Sequence, residues 1–433
     1  MKDFSLDFYE KLVEGYDPVL DRDGVSGERA AHRLAALCAL GLTDKQGSHR
    51  LAFSKEEKEA KLLVQYWMEN AGMIVRTDGA GNVIGRIEGS DSEKTVLCGS
   101  HVDTVPNGGH FDGTLGVIAA IEVAEAWQEA GYVPEKSYEA IVFTDEEGAR
   151  FHGGMTGSKA FMGELEEEKE KKRIDIYGRS FEDVVTENGL TMESVVSAGA
   201  DLSRYDSYVE VHIEQGKELE KLNHSTGIVT GIAGPVWLKL RFKGEAGHAG
   251  NTPMNDRKDA LAAAGAFLSS LTQLPAKASS TAVATVGELN VFPNGVNVIP
   301  GEVTCTVDVR DIHVKPREKL LKKITSLLEE IEKSWGVSIE KEVSMKVDPV
   351  PADKGLQETA AEILGPEAVY LPSGAAHDAM IIGRYLPMAM LFTKSREGIS
   401  HNPEEWSTLK DCMNTIHVLK KMIEKRCSVK EQG

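Results

Sequence analysis

Histidines and carboxylates that follow short apolar runs are the residues of this sequence best suited to chemistry. His101 comes just after such a run, Asp103 lies two residues on, and Asp112 opens a glycine-rich turn. Imidazole nitrogens and carboxylate oxygens bind divalent metals, and a carboxylate such as that of Asp112 can bridge two of them. The Asp103 carboxylate is suited to accept a hydrogen bond from the ring nitrogen of His101 that does not bind metal. Taken singly, each residue is also typical of a helix cap or a surface histidine.

Two adjacent acids, Glu146 and Glu147, follow the apolar run that ends at Phe143. One acid of such a pair can bind a metal while the other accepts a proton from water. Because neighbouring like charges repel, burying both acids is favourable mainly beside cations. A solvated turn is the alternative interpretation of this segment.

Two further histidines complete a possible ligand set. His212 lies within the β-branched run from Tyr208 to Ile213, where a core histidine is the alternative, and His401 lies in a turn-rich segment. Three histidines with two carboxylates, most of them at or beside predicted strand ends, are the ligands that a two-metal hydrolase needs. The combination therefore favours a metal site over the separate alternatives.

The elements that must position these residues alternate between strands and helices. Strands are predicted over Asn82 to Ile87, Thr95 to Cys98, Tyr138 to Phe143 and Tyr208 to Ile213, with a helix over Leu115 to Glu129. This alternation predicts an α/β fold in which a sheet is buried against helices.

The pattern changes at about residue 218. The following segment is predicted to contain strands and helices in turn: strands over Val236 to Lys243, Thr281 to Leu289 and Val303 to Arg310, and helices over Arg257 to Leu271 and Pro316 to Trp335. Residues 218–333 are therefore predicted to form a ferredoxin-like α+β domain, inserted into a catalytic domain of residues 1–217 plus 334–433.

Composition narrows the function classes. The 433 residues suffice for two or three domains, and 41% hydrophobic with 27% charged residues is typical of globular proteins. A net charge of −19 argues against nucleic acid or a membrane surface as partner and favours a small molecule or a metal. No apolar stretch is long enough to cross a bilayer, and the first residues lack the apolar core of a secretory signal. The five scattered cysteines are expected to be free thiols, which predicts a cytoplasmic location.

Four strings of the sequence resemble one branch of a known family: His-Ile-Glu-Gln-Gly at 212–216, His-Ala-Gly-Asn-Thr-Pro-Met at 248–254, Asn-Val-Ile-Pro-Gly at 297–301 and Ser-Gly-Ala-Ala-His-Asp at 373–378. The family is that of the M20 metallopeptidase-like amidohydrolases, and the branch contains N-carbamoyl-L-amino acid hydrolases, β-ureidopropionases and allantoate amidohydrolases. The resemblance extends from about residue 45 to about residue 415. It implies a mixed-sheet metallohydrolase domain with an inserted lid and dimerisation domain, and hence a homodimer.

The resemblance also implies two divalent ions held by five side chains: His101 and His212 for one ion, Glu147 and His401 for the other, and Asp112 as the bridge. Glu146 would be the general base. Zn, Mn, Co and Ni all suit this mixture of ligands, so the identity of the metal stays open. Family members often have a cis peptide after the bridging aspartate, here between Asp112 and Gly113.

The substrate residues implied by the same resemblance are Gln215, His248, Asn297, Arg310 and Ala376. Arg310 offers a two-pronged guanidinium to a substrate carboxylate, with a surface salt bridge to Asp308 or Asp311 as the alternative. His248 and Asn297 can donate hydrogen bonds to a developing oxyanion. In dimeric relatives a lid histidine can reach the neighbouring site, so His248 acts either in its own subunit or in the partner subunit.

The substrate is predicted to be an N-carbamoyl-L-amino acid, whose ureido C–N bond is cleaved to give the amino acid, ammonia and CO2. Trp237 would make one wall of the pocket apolar, where allantoate hydrolases usually carry polar residues, although Trp237 can equally be core. Ala376 replaces a glycine that is common in allantoate hydrolases. Allantoate, or another N-acyl or N-formyl amide, is the alternative substrate. A non-catalytic binding protein is disfavoured because every ligand and base position is filled.

Overall fold

The computed structural model describes residues 4–90 and 93–428. The chain divides into two compact units, of which the first comprises Met1–Val229, Ala352–Leu371 and His377–Gly433, and the second comprises Thr230–Pro351 and Pro372–Ala376. Within the described ranges, no helix is both long enough and apolar enough to span a membrane. All five cysteines are buried, and no disulfide joins them.

The helices and strands of residues 4–232 are α1 Phe4–Val13, α2 Gly27–Ala39, α3 Lys55–Asn70, β1 Ile74–Thr77, β2 Val83–Ile87, β3 Thr95–His101, α4 Thr114–Ala130, β4 Ser137–Phe143, α5 Thr156–Phe161, α6 Glu167–Glu170, α7 Phe181–Glu187, α8 Met192–Val196, β5 Tyr205–Ile213, α9 Glu218–Leu222 and β6 Thr226–Ile232. Those of the second unit are β7 Gly234–Lys243, β8 Gly247–His248, α10 Ala260–Leu271, β9 Val283–Thr285, β10 Leu289–Phe292, β11 Val298–Ile299, β12 Glu302–Asp311, α11 Val314–Trp335, β13 Ser338–Lys346 and β14 Val350–Pro351. The chain ends with α12 Lys354–Leu364, β15 Val369–Ser373, α13 Asp378–Ile382, β16 Met388–Thr393 and α14 Leu409–Cys427.

The first unit is built on a mixed sheet, in which the strands follow the order β1-β2-β4-β3-β5-β16-β6. At its centre β3 runs parallel to β4 and β5, and β16 runs parallel to β5. Every residue of β3 and β4 is buried, and α4, which is apolar on nearly all faces, packs against them. The predicted mixed α/β fold is confirmed. Because the four central strands are parallel, their carboxyl ends meet at one edge of the sheet.

The second unit contains an antiparallel sheet of order β10-β12-β7-β13, with β9 also paired to β12. Along β12 every second side chain is buried, and the buried face packs against α10 and α11. The buried apolar residues of α11 recur at helical spacing: Leu320, Ile324, Leu328 and Ile331. If β9 and β10 are counted as two parts of one strand, the elements of this sheet, β7, α10, β9–β10, β12, α11 and β13, follow the β-α-β-β-α-β order of ferredoxin-like domains.

One predicted strand in this unit, Thr281 to Leu289, is wrong. The segment forms two short strands instead, β9 and β10, with Gly287 between them. Glycine weakens a strand interior because it lacks a side chain to pack and loses more backbone freedom on folding.

Candidate metal centre and active site

The residues with chemical potential gather where the parallel strands end. His101 is the last residue of β3, His212 lies one residue before the end of β5, Glu146 and Glu147 follow β4, and His401 follows β16. The carboxyl ends of neighbouring parallel strands are the usual ligand-binding edge of an open α/β sheet. The topology therefore brings together side chains that are up to 300 positions apart in the sequence.

Two clusters of potential metal ligands share one carboxylate. The first comprises His101, Asp112 and His212, the second comprises Asp112, Glu147 and His401, and in each the ligand atoms lie within 4.8 Å of one another. Asp112 Oδ1 lies 2.9 Å from His212 Nε2 and 3.7 Å from His101 Nε2, whereas its Oδ2 lies 3.3 Å from His401 Nε2. Each oxygen of Asp112 thus faces a different cluster.

His101 and His212 are both buried and have the same orientation: Nδ1 bonds to the backbone, and Nε2 lies near Asp112. His101 Nδ1 donates to the carbonyl oxygen of Asp103 at 3.0 Å, and His212 Nδ1 donates to that of Ile213 at 2.9 Å. Because Nδ1 carries the donated proton in both rings, Nε2 is the nitrogen whose lone pair would be donated to a metal. His101 Nε2 is buried without a hydrogen-bond partner. An orphaned, outward-facing imidazole nitrogen beside carboxylates fits a divalent metal.

The sequence predicts that the Asp103 carboxylate accepts a hydrogen bond from His101, and the structure shows a different partner for each group. Its Oδ1 lies 3.6 Å from His101 Nδ1, so the backbone carbonyl and not the carboxylate is the partner of that ring. The two carboxylate oxygens instead accept hydrogen bonds from the backbone amides of Glu146 and Glu147, each at 3.2 Å. Asp103 therefore fixes the turn that carries the two acids.

Electrostatics at the centre also favours bound cations. Burial, followed by the negative charges of Asp378 and Glu147, raises the pKa of Glu146 well above its usual value. Burial, followed by Asp112 and Asp103, does the same to the pKa of Glu147. Divalent cations beside these carboxylates would offset a repulsion that the described side chains leave in place.

The imidazoles respond to Asp112 in different ways. Burial lowers the pKa of His101 to about 4. Burial opposes the charged form of His212 as well, but the adjacent Asp112 carboxylate outweighs it and raises the pKa of His212 to about 9. Burial opposes the charged form of Asp112, but His212, followed by His401 and His101, outweighs burial and lowers the pKa of Asp112 well below its usual value.

The turn after Asp112 is made by glycine in a left-handed conformation. Gly113 has φ of 62°, and a Cβ at this position would lie 2.4 Å from the His101 ring. The predicted cis peptide between Asp112 and Gly113 is wrong, since the cis bond found in the described parts of the chain joins Phe292 to Pro293. The positive φ of Gly113 turns the chain into α4 with a trans bond.

Gln215, predicted to bind substrate, contacts the centre directly. Its Nε2 donates to Asp112 Oδ2 at 2.8 Å and to Ser400 Oγ at 3.1 Å. Gln215 and His401 both have left-handed backbones, with φ of 55° and 54°. This backbone conformation is uncommon for residues other than glycine, and the exceptions concentrate at functional sites.

His248 and Asn297 lie in the second unit, on exposed segments joined by the short β8–β11 pairing. His248 Nδ1 accepts hydrogen bonds from the backbone amides of Gly250 and Asn251, at 3.1 and 3.2 Å. In the neutral ring this places the proton on Nε2, which makes His248 a donor. The carbonyl of Asn297 accepts from the amide of Ala249 at 3.0 Å.

Arg310 also lies in the second unit, where it is paired with Asp308 at 2.8 to 3.1 Å. Its Nη1 donates to the carbonyl of Gly374, two residues before Ala376, at 2.6 Å. The salt bridge to Asp308 that the sequence left as an alternative is therefore present. Asp311 bonds to Ser279 and Thr281 instead.

Trp237 is not core: it is 44% exposed and stands opposite Asp308 in the β7–β12 ladder. It lines an open concavity of about 830 Å³ on the sheet face, together with Lys239, Val283, Thr285, Asp308 and Arg310. The concavity thus places the apolar side chains of Trp237 and Val283 beside charged groups, among them Arg310.

Several buried groups around the centre were missed by sequence reasoning. The ring of His377 packs 4.4 Å, centre to centre, from that of His212. Glu210, fully buried in β5, accepts hydrogen bonds from Ser100 Oγ at 2.8 Å and from the amide of Ala379 at 2.9 Å. The string at 373–378 pointed to His377 without a role, and nothing local distinguishes Glu210 from a solvent-facing strand residue.

Comparison with known proteins places the chain in a family. Residues 97–425 match the model of the peptidase family M20/M25/M40. The chain belongs to this family. It is 42% identical to an N-carbamoyl-L-amino acid amidohydrolase of Geobacillus stearothermophilus, over 91% of this chain and 97% of that protein. It is 35% identical to an allantoate amidohydrolase of Bacillus subtilis, over 90% of this chain and 95% of that protein.

A solved structure agrees with this placement. An amidase of the hydantoinase/carbamoylase family from Burkholderia multivorans superposes with a TM-score of 0.86 at 32% identity, covering 94% of this chain and 99% of that one. The predicted membership of the hydantoinase/carbamoylase branch of the M20 family is confirmed.

Proposed function

We propose that this M20 family member is a two-metal amidohydrolase that cleaves the ureido C–N bond of N-carbamoyl-L-amino acids. The observation that carries the proposal is the pair of ligand clusters that share Asp112, with Glu146 beside them. The names of its relatives, amidohydrolases of N-carbamoyl-L-amino acids and of allantoate, support the same class of reaction.

In this proposal five side chains hold two divalent ions, Zn, Mn, Co or Ni. His101, Asp112 and His212 hold the first, and Asp112, Glu147 and His401 hold the second. Divalent ions in such ligand sets act as Lewis acids and make water more acidic.

Glu146 is the proposed general base. Its Oε2 lies 3.6 Å from His101 Nε2, so it borders the first cluster without belonging to either. Burial and neighbouring carboxylates raise its pKa well above the usual value of a glutamate, in the direction that suits proton transfer near neutral pH. Glu146 would take a proton from the attacking water and deliver it to the leaving nitrogen.

Residues of the second unit are proposed to bind the substrate. His248, with its proton on Nε2, donates to the oxyanion that forms at the ureido carbonyl. Arg310 has five N–H groups, of which the contacts to Asp308 and Gly374 occupy three. The remaining pair, one on each Nη, is available to the substrate carboxylate. Gln215, Asn297 and Ala376 are proposed to contact the rest of the substrate.

Trp237 supports a substrate with an apolar side chain. Trp237 and Val283 flank Arg310 on the same concave face, so a carboxylate bound to Arg310 would place its neighbouring side chain against apolar walls. Allantoate carries a second ureido group there, and the apolar surfaces of Trp237 and Val283 would not form hydrogen bonds to it. Allantoate is nevertheless the second candidate, because of the 35% identical relative.

Ammonia release tests the proposal. Metal-free protein is reloaded with Mn, Co, Ni or Zn and offered N-carbamoyl-L-methionine, its D-enantiomer, N-carbamoyl-β-alanine and allantoate. We expect the L-carbamoyl compound to be hydrolysed fastest. A preference for allantoate would replace the proposed substrate with the second candidate. The Glu146→Gln variant, purified identically, controls for contaminating hydrolases.

We further propose a homodimer in which the second unit, predicted from the sequence as residues 218–333, acts as lid and dimerisation domain. Sedimentation measures the oligomeric state, and a monomer with full activity would contradict the proposal. A mixture of the His248→Ala and Glu146→Gln variants separates the two possible roles of His248. If His248 serves the partner subunit, exchange of subunits creates one complete site per mixed dimer and restores activity; if it serves its own subunit, the mixture stays inactive.

A further inference from the structure

Glu405 is a buried carboxylate that belongs to neither ligand cluster, yet it bonds directly to the residue that both clusters share. It is 1% exposed. Its Oε1 accepts hydrogen bonds from the backbone amides of Phe111 and Asp112, at 2.8 and 3.1 Å. A charged acceptor bound to two amides is among the stronger ways to fix a loop.

The other oxygen of Glu405 reaches the side chain of Asp112 through one hydroxyl. Ser400 Oγ lies 2.9 Å from Glu405 Oε2 and 2.9 Å from Asp112 Oδ2. Ser400 directly precedes His401 in the chain. Glu405 therefore contacts the backbone of Asp112, and through Ser400 also its carboxylate and the segment that carries His401.

The backbone at Gly109 shows how closely this carboxylate is held. A Cβ at residue 109 would lie 2.0 Å from the carboxyl carbon of Glu405. The amide of Glu405 itself donates to the carbonyl of Asn402 at 3.0 Å, which closes the turn after His401. The side chain thus has little room to adopt another position.

We propose that Glu405 is a positioning residue that sets the orientation of Asp112 relative to His401, and so the geometry of both ligand clusters at once. The inference rests on the proposed function only in that Asp112 is taken as the shared metal ligand. Groups that orient a metal ligand typically change metal affinity or activity about 10- to 100-fold when removed.

Three variants test the proposal. Glu405→Leu removes both acceptors at similar size, Glu405→Gln retains an acceptor for the amides and a donor for Ser400, and Glu404→Leu is the matched control at the exposed neighbouring position. Metal affinity is measured by competition with a chelator, and kcat and KM are measured with N-carbamoyl-L-methionine. We expect Glu405→Leu to lose metal affinity at least about tenfold and to lower kcat more than it changes KM. Glu405→Gln should stay close to the Glu404→Leu control.

Glu405→Leu with metal affinity and kcat within about twofold of Glu404→Leu would overturn the inference. If Glu405→Leu does not fold, Ser400→Ala replaces it, because that variant cuts the link to the Asp112 carboxylate and leaves the amide bonds intact; unchanged metal affinity in Ser400→Ala would equally overturn the inference. Wild-type protein that hydrolyses none of the ureido substrates, while Glu405→Leu still loses metal affinity, would reject the proposed function and support the role of Glu405.

Discussion

At the scale of the residue, Glu146 offers the most direct test of the chemistry. Glu146→Gln retains the size and the burial of the side chain but removes its ability to accept a proton. We expect kcat to fall by about 10²- to 10⁴-fold. Bound metal should be unchanged, because Glu146 is in neither ligand cluster. Ammonia release and metal analysis on the same sample check both results, and turnover within about tenfold of wild type would contradict the general-base assignment.

Substitution of Gly113 tests whether metal binding depends on the close approach of this backbone to the His101 ring. Gly113 and Gly131 both have φ of 62°, but a Cβ at 113 would meet the His101 ring at 2.4 Å, whereas a Cβ at 131 would meet nothing within 4 Å. The left-handed conformation costs any alanine about 1 to 2 kcal/mol. We expect Gly131→Ala to show only this cost and Gly113→Ala to lose metal binding as well. Thermal unfolding with and without metal separates the two effects, and equal behaviour of the two variants would refute the argument.

Residue types predicted the candidate ligands, and the family resemblance divided them between two ions and chose Glu147 over Glu146. Neither predicted the atoms that orient these ligands. His101, Asp112 and His401 were identified as a set because their chemistry agrees across distant segments. That the carbonyl of Asp103, and not its carboxylate, bonds to His101 depends on the path of the turn after β3. Glu405 resembled a surface acid next to Glu404, and only the folded chain shows that it is buried.

At the scale of the element, helix caps position the second unit without taking part in the proposed chemistry. Asp259 is the N-cap of α10 and accepts hydrogen bonds from the amides of Leu261 and Ala262, at 2.9 and 3.0 Å. We expect Asp259→Ala to lower the free energy of unfolding by about 1 kcal/mol, and Asp259→Asn, which caps equally well, to stay near wild type. Chemical unfolding measures both, and kcat should be unchanged. Equal stability of the two variants would contradict the role of the cap.

A helix with a regular repeat of apolar residues was predictable from the sequence, whereas the interruption of a strand was not. The predicted helix over Pro316 to Trp335 corresponds to α11, because its buried apolar residues recur at helical spacing from Leu320 to Ile331. The predicted strand from Thr281 to Leu289 is interrupted at Gly287: Thr285 pairs with Asp308 and Leu289 pairs with Cys305, so one extra residue lies between β9 and β10. The order of strands in the main sheet, which creates the shared edge, depends on contacts between distant segments that no local pattern encodes.

At the scale of the whole molecule, buried negative charge is expected to make the free energy of unfolding depend on bound metal. The chain carries a net charge of −19, and the centre buries Asp103, Asp112 and Glu146. Buried like charges destabilise the folded state unless cations compensate them. The folded chain should therefore depend on bound metal for part of its stability, and the unfolded chain, whose ligands are dispersed, should bind metal far more weakly.

Metal removal tests this dependence directly. A ligand that binds only the folded state stabilises it by about 2.7 kcal/mol when its free concentration is 100 times its dissociation constant. We expect chelator-treated protein to unfold at a lower temperature than protein reloaded with Mn, Co, Ni or Zn. His212→Ala, which removes one ligand of the first cluster, should show a smaller shift on reloading, whereas Glu404→Leu should show the full shift. Identical melting curves for wild type with and without metal would mean that these carboxylates are compensated by groups of the protein itself.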